Sequence, residues 1–243
     1  MLAIKDTDSA DLAVKLESLA RDMGATYFGI ADLAPARERI SGQGGEFLTQ
    51  FPRAVSHGFA LADGIVNTLV HHKSISALHS YRHYVYQIVN PRLDSISLTL
   101  AQALERAGFQ AYVVPASQTV DRIRLIGVFS RKLAAHLAGL GWIGKSALLI
   151  TPEHGPRVRW ATVLTDAPLE AGAPMDDMCR DCDECVKECP AHAFTGQAFH
   201  QPRPRSEIFA AEACDRYLRE REIFRRVCGM CVYICPLGRN KRT

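Results

Sequence analysis

The strongest constraint in this sequence is the placement of its eight cysteines, which all lie between residues 179 and 235 of the 243-residue chain. A disulfide framework needs an oxidising compartment and usually staples an entire small domain. Here no cysteine precedes Cys179, and the segment that holds them is poor in periodic apolar residues. The distribution therefore indicates metal ligands, in a module whose fold depends on the metal.

The spacing of the cysteines narrows the kind of metal site. Residues 179–190 read Cys-Arg-Asp-Cys-Asp-Glu-Cys-Val-Lys-Glu-Cys-Pro, the C-x₂-C-x₂-C-x₃-C-P spacing of bacterial ferredoxins. Three thiolates at two-residue gaps bind one [4Fe–4S] cubane, and the fourth points towards a second cluster. Residues 228–236 repeat the x₂, x₃ and Pro spacing. We therefore predict that one cluster is bound by Cys179, Cys182, Cys185 and Cys235, and the other by Cys189, Cys214, Cys228 and Cys231.

Two structural zinc sites are the alternative interpretation of the same cysteines. Zinc sites more often use paired C-x₂-C knuckles that are well separated in sequence. They need neither a third cysteine three residues on nor the trailing Pro that occurs here at both Pro190 and Pro236. We favour iron–sulfur clusters, which form a short electron-transfer path and call for an electron acceptor in the preceding part of the chain.

The residues before the cysteines show a regular alternation of apolar patterns. Asn90-Pro91 is interpreted as a helix start, because an N-cap residue precedes a proline at the first helical position. The alternation predicts an α/β (α+β) layered domain over 1–170, followed by a ferredoxin-like 2[4Fe–4S] module over 171–243. The expected helices are 8–23, 66–86, 90–108 and 130–139, and the expected strands are 25–30, 54–61, 110–114, 147–150 and 158–164, with 151–156 joining the last two.

Charge and hydropathy restrict the partners of the chain. The net charge of +3 and the lack of a Lys/Arg run give no indication of a nucleic-acid partner. The first residues do not have the pattern of a signal peptide, and no apolar stretch approaches the ~18 residues that span a bilayer. We therefore expect a cytoplasmic protein without a membrane partner.

Residues 138–145, Ala-Gly-Leu-Gly-Trp-Ile-Gly-Lys, form the densest glycine segment. They match neither the dinucleotide-binding G-x-G-x-x-G motif nor a P-loop in register. Glycines at this density permit either close approach of a large flat ligand or a tight turn from a helix into a strand. Composition alone favours the turn.

These glycines, the segments 148–159 and 164–169, and the double cysteine motif together resemble the superfamily of epoxyqueuosine reductases and reductive dehalogenases. The resemblance is strongest over 130–237. It implies a nitroreductase-like domain and a ferredoxin module that hold base-off cobalamin between them, with the nearer cluster reducing the cobalt to Co(I). It also implies the corrinoid-binding residues Gly139, Leu140, Gly141, Trp142, Gly144, Lys145 and Ser146.

Two departures from that superfamily leave the substrate open. Epoxyqueuosine reductases carry an acidic proton donor in an Asp-Ser-Ala-Pro-like segment, whereas the matching stretch here, Val114-Pro-Ala-Ser117, has no Asp. Their C-terminal helical-repeat extension for tRNA is also missing from this sequence. The chain is therefore expected to be a short relative of both groups of enzymes.

A corrinoid reductase needs a proton donor near its substrate. Tyr84 and Tyr86, in an aromatic and basic segment, are candidates, although they could equally pack with polar tips at the surface. Lys145 could contact a phosphate, or act as an acid if burial lowers its pKa, or be a solvated turn residue. The basic residues that flank the glycine segment are expected at the surface; they are Arg131, Lys132, Arg157 and Arg159.

The leading functional hypothesis is a cobalamin-dependent iron–sulfur reductase of a small organic substrate. A ferredoxin or flavodoxin would supply the electrons, and the basic run 216–226 could dock such an acidic donor. The second hypothesis is a redox partner that reduces the corrinoid of another protein, or a plain electron-transfer protein. The third, from another class, is a zinc-stapled binding module.

Overall fold

The helices and strands follow the apolar periodicity of the sequence in most places. The computed structural model describes residues 8–200, 203–220 and 227–239. The α-helices are α1 (Ser9–Asp22), α2 (Arg37–Gly44), α3 (Asp63–Asn67), α4 (Ile75–His83), α5 (Asn90–Arg106), α6 (Arg131–Leu137), α7 (Glu184–Lys187), α8 (Ala211–Glu220) and α9 (Met230–Tyr233). A π-helix spans Tyr84–Val89, and the strands are β1 (Tyr27–Asp32), β2 (Arg53–Ala60), β3 (Ala111–Val114), β4 (Trp142–Ile143), β5 (Leu149–Ile150) and β6 (Val158–Thr165).

Four strands form one antiparallel sheet in the order β1-β2-β6-β3. Because side chains alternate along a strand, each register row faces one side of the sheet. The row that faces α1 and α5 is Ile30, Val55, Val163 and Val113. The next row, which faces α6, is Ala31, Ala54, Leu164 and Tyr112. The predicted mixed α and β layered domain is therefore confirmed, in its α+β form.

The core on the α1 and α5 side follows from helical spacing. Leu12 and Leu16 of α1 and Leu100 and Leu104 of α5 are almost completely buried. Asp8 caps α1 by accepting a hydrogen bond from the Ala10 amide, at 3.1 Å. Each of the buried leucines stabilises the fold by about 1.5–3 kcal/mol relative to an exposed position.

Helix α5 begins at Asn90 with Pro91 in its first turn, as predicted, but the prediction that Asn90 is its N-cap residue is wrong. Val89 and Asn90 both have helical backbone angles, and the π-helix runs directly into α5. The wider π turn accommodates Pro91, which cannot donate a backbone hydrogen bond. The Asn90 side chain does not cap the helix, because its Oδ1 accepts a hydrogen bond from Arg159 Nε at 3.2 Å. The single helix expected over 66–86 is likewise divided at a turn before Ile75.

The strand expected before the 151–156 turn has a different partner from the one its position suggests. Leu149–Ile150 pairs with Trp142–Ile143 in a separate two-stranded ribbon. β6 instead lies in the main sheet between β2 and β3. A bridge between Thr151 and Gly155 closes the turn on itself, so the chain changes direction without forming the long hairpin.

The cysteine-rich part contains little regular structure. Helices α7 and α9 have one turn each, and a single bridge joins Phe194 to Phe209, whose rings stack 5.1 Å apart. Its small apolar core is built on Cys189, Ala193 and Phe194. The predicted domain boundary near residue 170 falls between β6 and α7, in a stretch without helix or strand. No helix in the described ranges is long and apolar enough to cross a membrane.

Candidate functional site

The eight cysteine thiols are all free and lie in two groups. The outer thiol group consists of Cys179, Cys182, Cys185 and Cys235. Burial raises the pKa of Cys185 to about 12, and the neighbouring Cys179, Cys235 and Cys182 raise it further. Burial also raises the pKa of Cys235 to about 11, with Cys179 and Cys182 as its thiol neighbours. The charges of these four thiols act on one another, so the four side chains lie close together. The predicted set of ligands for one cluster requires this proximity.

The inner thiol group consists of Cys189, Cys214, Cys228 and Cys231. Burial raises the pKa of Cys214 to about 11, and Cys189 and Cys228 contribute next. Burial also raises the pKa of Cys231, followed by Cys228, Cys214 and Cys189, with Cys185 of the outer group last. The division agrees with the predicted ligand sets, although the assignment itself stays a prediction.

The crowding of these thiols fits an iron–sulfur donor set. Buried thiols at close range disfavour one another's ionised form, and bound iron reverses this by stabilising thiolates. In the described part of the chain, no three His, Cys, Asp or Glu side chains converge tightly enough to hold a single metal ion. The eight thiols are spread instead as two groups of four, which suits two clusters with one thiolate on each iron.

The predicted glycine segment contacts the outer thiol group. Trp142 is buried, and its Nε1 donates a hydrogen bond to Cys179 Sγ at 3.3 Å. Lys145 Nζ donates to the carbonyl oxygens of Arg180 (2.6 Å) and Cys182 (3.1 Å). A Cβ at Gly144 would lie 2.9 Å from Cys179 Sγ. The end of α6 and the β4 turn thus position the loop that carries the first cysteines.

At the other glycines of this segment, a second part of the protein's own backbone approaches closely. Gly139, with a φ of +74°, ends α6, and a Cβ there would lie 2.5 Å from the Ala173 carbonyl oxygen. A Cβ at Gly141 would collide with the Ile150 carbonyl of β5. Leu140 packs against Gly29 of β1, and Ser146 is buried. The geometry is that of a tight helix-to-strand turn, and the corrinoid-binding role of residues 139–146 stays a prediction.

The segment that carries the inner thiol group packs against the layered domain at helix α4 and the turn before it. Tyr81 is buried, its pKa is raised by burial, and Cys231 and Cys228 are among its charged neighbours. A Cβ at Gly229 would lie 2.7 Å from Leu69 and 3.2 Å from the Tyr81 ring. The outer thiol group therefore contacts the layered domain at Trp142 and Gly144, and the segment that carries the inner thiol group packs on it at Leu69 and Tyr81.

The two predicted catalytic tyrosines occupy different environments. The Tyr84 hydroxyl accepts a hydrogen bond from the Ala62 amide at 3.1 Å, which ties the π-helix to the start of α3. The Tyr86 ring lies 4.9 Å from the guanidinium of Arg159 and 5.9 Å from that of Arg82. Beside it, Asn90 Nδ2 is buried and has no hydrogen-bond partner among the described residues. Of the two tyrosines, Tyr86 lies beside this unsatisfied donor.

A group of cations that the sequence reasoning placed at the surface lies partly buried beside the inner thiols. Burial, Arg205 and Arg131 lower the pKa of Lys132 to about 7, and Cys231 is another of its charged neighbours. Burial lowers the pKa of Arg131 to about 10. The surface prediction for Arg131 and Lys132 is therefore wrong, because α6 directs both side chains inward. We call Arg39, Arg131, Lys132 and Arg205 the buried cation group.

The buried cation group is held by backbone carbonyls. Arg131 donates to the Pro115 carbonyl (2.8 Å) and Arg205 to that of Leu125 (3.0 Å), while Lys132 donates to Ala147. Arg39 donates to the carbonyl of Arg203 at 3.1 Å. None of the four forms an ion pair with a carboxylate in the described ranges. Partly buried cations without a directly paired carboxylate favour an anionic or oxygen-rich ligand.

Arg157 also departs from the solvent-facing position expected for it. It is 1% exposed, and its Nη1 donates to Asp63 at 2.7 Å and to Asn67 at 2.9 Å. Its charge lies near Cys235 of the outer group. No local pattern could have indicated this burial, because the two partners lie 94 and 90 residues earlier in the chain.

Residues 114–117 contain no acidic residue, but an acidic side chain from helix α5 contacts them. The Asp94 carboxylate on α5 accepts a hydrogen bond from the Ala116 amide at 2.7 Å. Asp94 is also among the charged neighbours of Arg131. An acidic side chain is therefore present beside residues 114–117, although it is supplied from another element.

These observations define the class of protein. The family described as the 4Fe-4S double cluster binding domain matches residues 178–238, which contain all eight cysteines. The chain thus carries a double-cluster iron–sulfur module that follows an α+β layered domain.

Comparison with curated proteins shows which homologues it has. It is 34% identical over 120 residues to an epoxyqueuosine reductase of Listeria monocytogenes, covering 47% of this chain and 31% of the relative. It is 29% identical over 161 residues to the tetrachloroethene reductive dehalogenase of Sulfurospirillum multivorans, covering 61% and 30%. The chain is a homologue of epoxyqueuosine reductases and reductive dehalogenases, and it spans about a third of the length of these two relatives.

Solved structures show the same likeness in fold. A catabolic reductive dehalogenase superposes with a TM-score of 0.69 at 22% identity, covering 96% of this chain and 33% of that one. An epoxyqueuosine reductase from Bacillus subtilis superposes with a TM-score of 0.62 at 18% identity, covering 96% and 67%. Both the layered domain and the cysteine module are therefore included in the shared fold.

Proposed function

We propose that this protein is a corrinoid-dependent iron–sulfur reductase that acts on a small organic substrate. The observation that carries the proposal is the position of the inner thiol group, which is buried against the layered domain beside Tyr81 and Lys132. When bound, two [4Fe–4S] clusters supply one-electron transfer and a corrinoid supplies a strongly reducing cobalt centre. One dehalogenase structure with a TM-score of 0.69 is described as suggesting a mechanism for B12-dependent dehalogenation.

Arg131, Lys132 and Asn90 offer donors that fit a ligand rich in amide and phosphate oxygens, such as cobalamin. The buried cation group offers charged donors without carboxylate partners. Asn90 Nδ2 adds a buried donor without a partner in the described part of the chain. Among the residues named from the sequence, Trp142 and Lys145 contact the outer thiol loop, whereas Lys132 has Cys231 of the inner thiol group among its charged neighbours. We therefore assign ligand binding chiefly to Arg131, Lys132 and Asn90.

Tyr86 is the proposed proton donor. Its ring is flanked by Arg159, and Arg159 in turn is oriented by its hydrogen bond to Asn90. The hydroxyl of Tyr84 is already engaged with the Ala62 amide, and Lys145 Nζ with two carbonyls. Tyr86 is therefore better placed than either of these for proton transfer.

Metal and cofactor analysis of anaerobically purified protein tests this proposal. We expect about eight iron and eight acid-labile sulfide per chain, with the broad absorbance of cubane clusters near ~400 nm. Added cobalamin should form a 1:1 complex with a base-off spectrum. Zinc in place of iron would select a zinc-stapled module. Full clusters without cobalamin binding would favour a redox partner that reduces the corrinoid of another protein.

A matched pair of lysine variants locates the cobalamin site. Lys132→Met removes one buried cation and should weaken cobalamin binding roughly tenfold to a hundredfold, as expected for the loss of one charged hydrogen bond. Lys15→Met makes the same change on the exposed face of α1 and should leave the affinity unchanged. Iron content should be equal in both variants. Equal affinities in the two variants would contradict the assignment.

A further inference from the structure

The two thiol groups differ in their access to solvent. Cys182 of the outer group is exposed and Cys189 of the inner group is buried, while the other six cysteines are partly exposed. Electron transfer between proteins weakens steeply with the distance between redox centres. An external donor therefore reaches a cluster held by the outer group more readily than one held by the inner group.

The surface around the outer thiol group is acidic. Residues 176–188 carry six acidic side chains and two basic ones, a net charge of minus four on a chain whose total is +3. Lys187 is already paired with Asp183 at 2.8 Å. We call this segment the acidic collar, and its exposed carboxylates belong to Asp176, Asp177, Asp181, Glu184 and Glu188.

Two exposed apolar side chains flank the same thiols. Met178, 41% exposed, immediately precedes Cys179, and Leu237, 36% exposed, follows Cys235 by two residues. The backbone of Leu237 is held in close contact with the turn at Gly155. A small apolar contact area within a charged rim is the usual composition of a transient protein interface.

We propose that Cys182, Met178, Leu237 and the acidic collar form the electron-entry surface, and that its partner is a small redox protein with a basic face around its own redox centre. The inference rests on the proposed function only in taking the outer thiol group to hold a cluster. In the step itself, the donor loses one electron and the outer [4Fe–4S] cluster passes from the 2+ to the 1+ state, without any bond being formed or broken. Opposite charges on the two faces steer the encounter.

The sequence suggested a different docking surface. That surface is the basic run 216–226, and its partner would be an acidic donor. Residues 221–226 of that run lie outside the described residues. In its described part, Arg219 is paired with Asp215 on α8. Helix α8 also carries Cys214 of the inner group, so the described part of the run, residues 216–220, lies on the same helix as an inner thiol.

Small charged oxidants test the surface without the natural donor. Cluster-loaded protein is reduced with dithionite, desalted, and mixed in a stopped-flow instrument with hexaamminecobalt(III), a trication, or with the cobalt(III)–EDTA anion. Each complex accepts one electron, so cobalt(III) becomes cobalt(II) as the cluster is reoxidised. We expect the rate with the cation to fall severalfold as ionic strength rises from ~10 to ~200 mM, and the rate with the anion to rise.

Charge reversal provides the matched comparison. The double variant Asp181→Lys/Glu184→Lys brings the net charge of the acidic collar to zero and should remove the salt dependence for the cation. The control variant Asp11→Lys/Glu105→Lys makes the same overall change on exposed positions of α1 and α5 and should behave as the unmodified protein. Equal rates and salt dependence for both oxidants with the unmodified, cluster-loaded protein would overturn this inference alone. A lack of iron and sulfide before mixing would overturn the proposed function together with it.

Discussion

The hydrogen bond from Trp142 to Cys179 provides a quantitative test of the outer cluster. Trp142→Phe keeps an aromatic ring in the buried position but removes the Nε1 donor that lies 3.3 Å from Cys179 Sγ. A reduced cluster carries one more electron, so its thiolate sulfurs accept hydrogen bonds more strongly than those of the oxidised cluster. Removing the donor therefore destabilises the reduced state, and the reduction potential should become more negative.

The size of the shift follows from the energy of one hydrogen bond. A typical hydrogen bond contributes a net ~0.5–1.5 kcal/mol, and we take ~0.5–1 kcal/mol as the part that depends on oxidation state. For a one-electron couple, a tenfold change in equilibrium corresponds to 59 mV, or about 1.4 kcal/mol. The expected shift is therefore roughly 20–40 mV to more negative potential, at one of the two clusters.

An anaerobic redox titration followed by electron paramagnetic resonance measures this shift. The sequence contains two tryptophans, and Trp160 supplies the control. It is buried, and its Nε1 has no hydrogen-bond partner in the described part of the chain, so Trp160→Phe removes the same group without changing a thiol contact. If both potentials are unchanged in Trp142→Phe, or if Trp160→Phe produces the same shift, the reasoning is refuted.

Three further perturbations test other parts of the structure. Lys145→Met removes two hydrogen bonds to the outer thiol loop, so a chelator should extract iron severalfold faster under anaerobic conditions, and Lys145→Arg should restore part of the protection. Arg157→Met removes the buried guanidinium that contacts Asp63 and Asn67 and should cost about 3 kcal/mol in the free energy of unfolding, measured with urea; a loss below ~1 kcal/mol would contradict the assignment. Burial lowers the pKa of His57 from 6.5 to about 4. Above pH 6.5 the imidazole is neutral in both the folded and the unfolded chain, so its titration does not change the free energy of unfolding. As the pH falls from 6.5 to 4 only the unfolded chain takes up the proton, and about 3 kcal/mol of the free energy of unfolding should be lost. His57→Leu should remove this component of the pH dependence, as seen by comparing the two unfolding profiles.

Local sequence determined the features that depend on residues close together in the chain. The x₂, x₂, x₃ and Pro spacing of residues 179–190 was sufficient to indicate a cluster motif, because it describes how one short loop wraps a metal centre. Apolar periodicity located α1, α6 and β2 for the same reason, since each buries one face set by its own repeat.

Only the tertiary structure decided the features that need partners from distant parts of the chain. The glycine segment packs against the outer thiol loop, Lys132 lies buried beside the inner thiols, and Arg157 pairs with Asp63. The residues next to a tyrosine or lysine in the chain do not show whether its side chain is buried or what it contacts. For this reason the sequence could not show which of Tyr84 and Tyr86 is the better candidate for a proton donor. The physical reason is that burial and charge compensation depend on which elements pack together, and the antiparallel order β1-β2-β6-β3 establishes this across the whole domain.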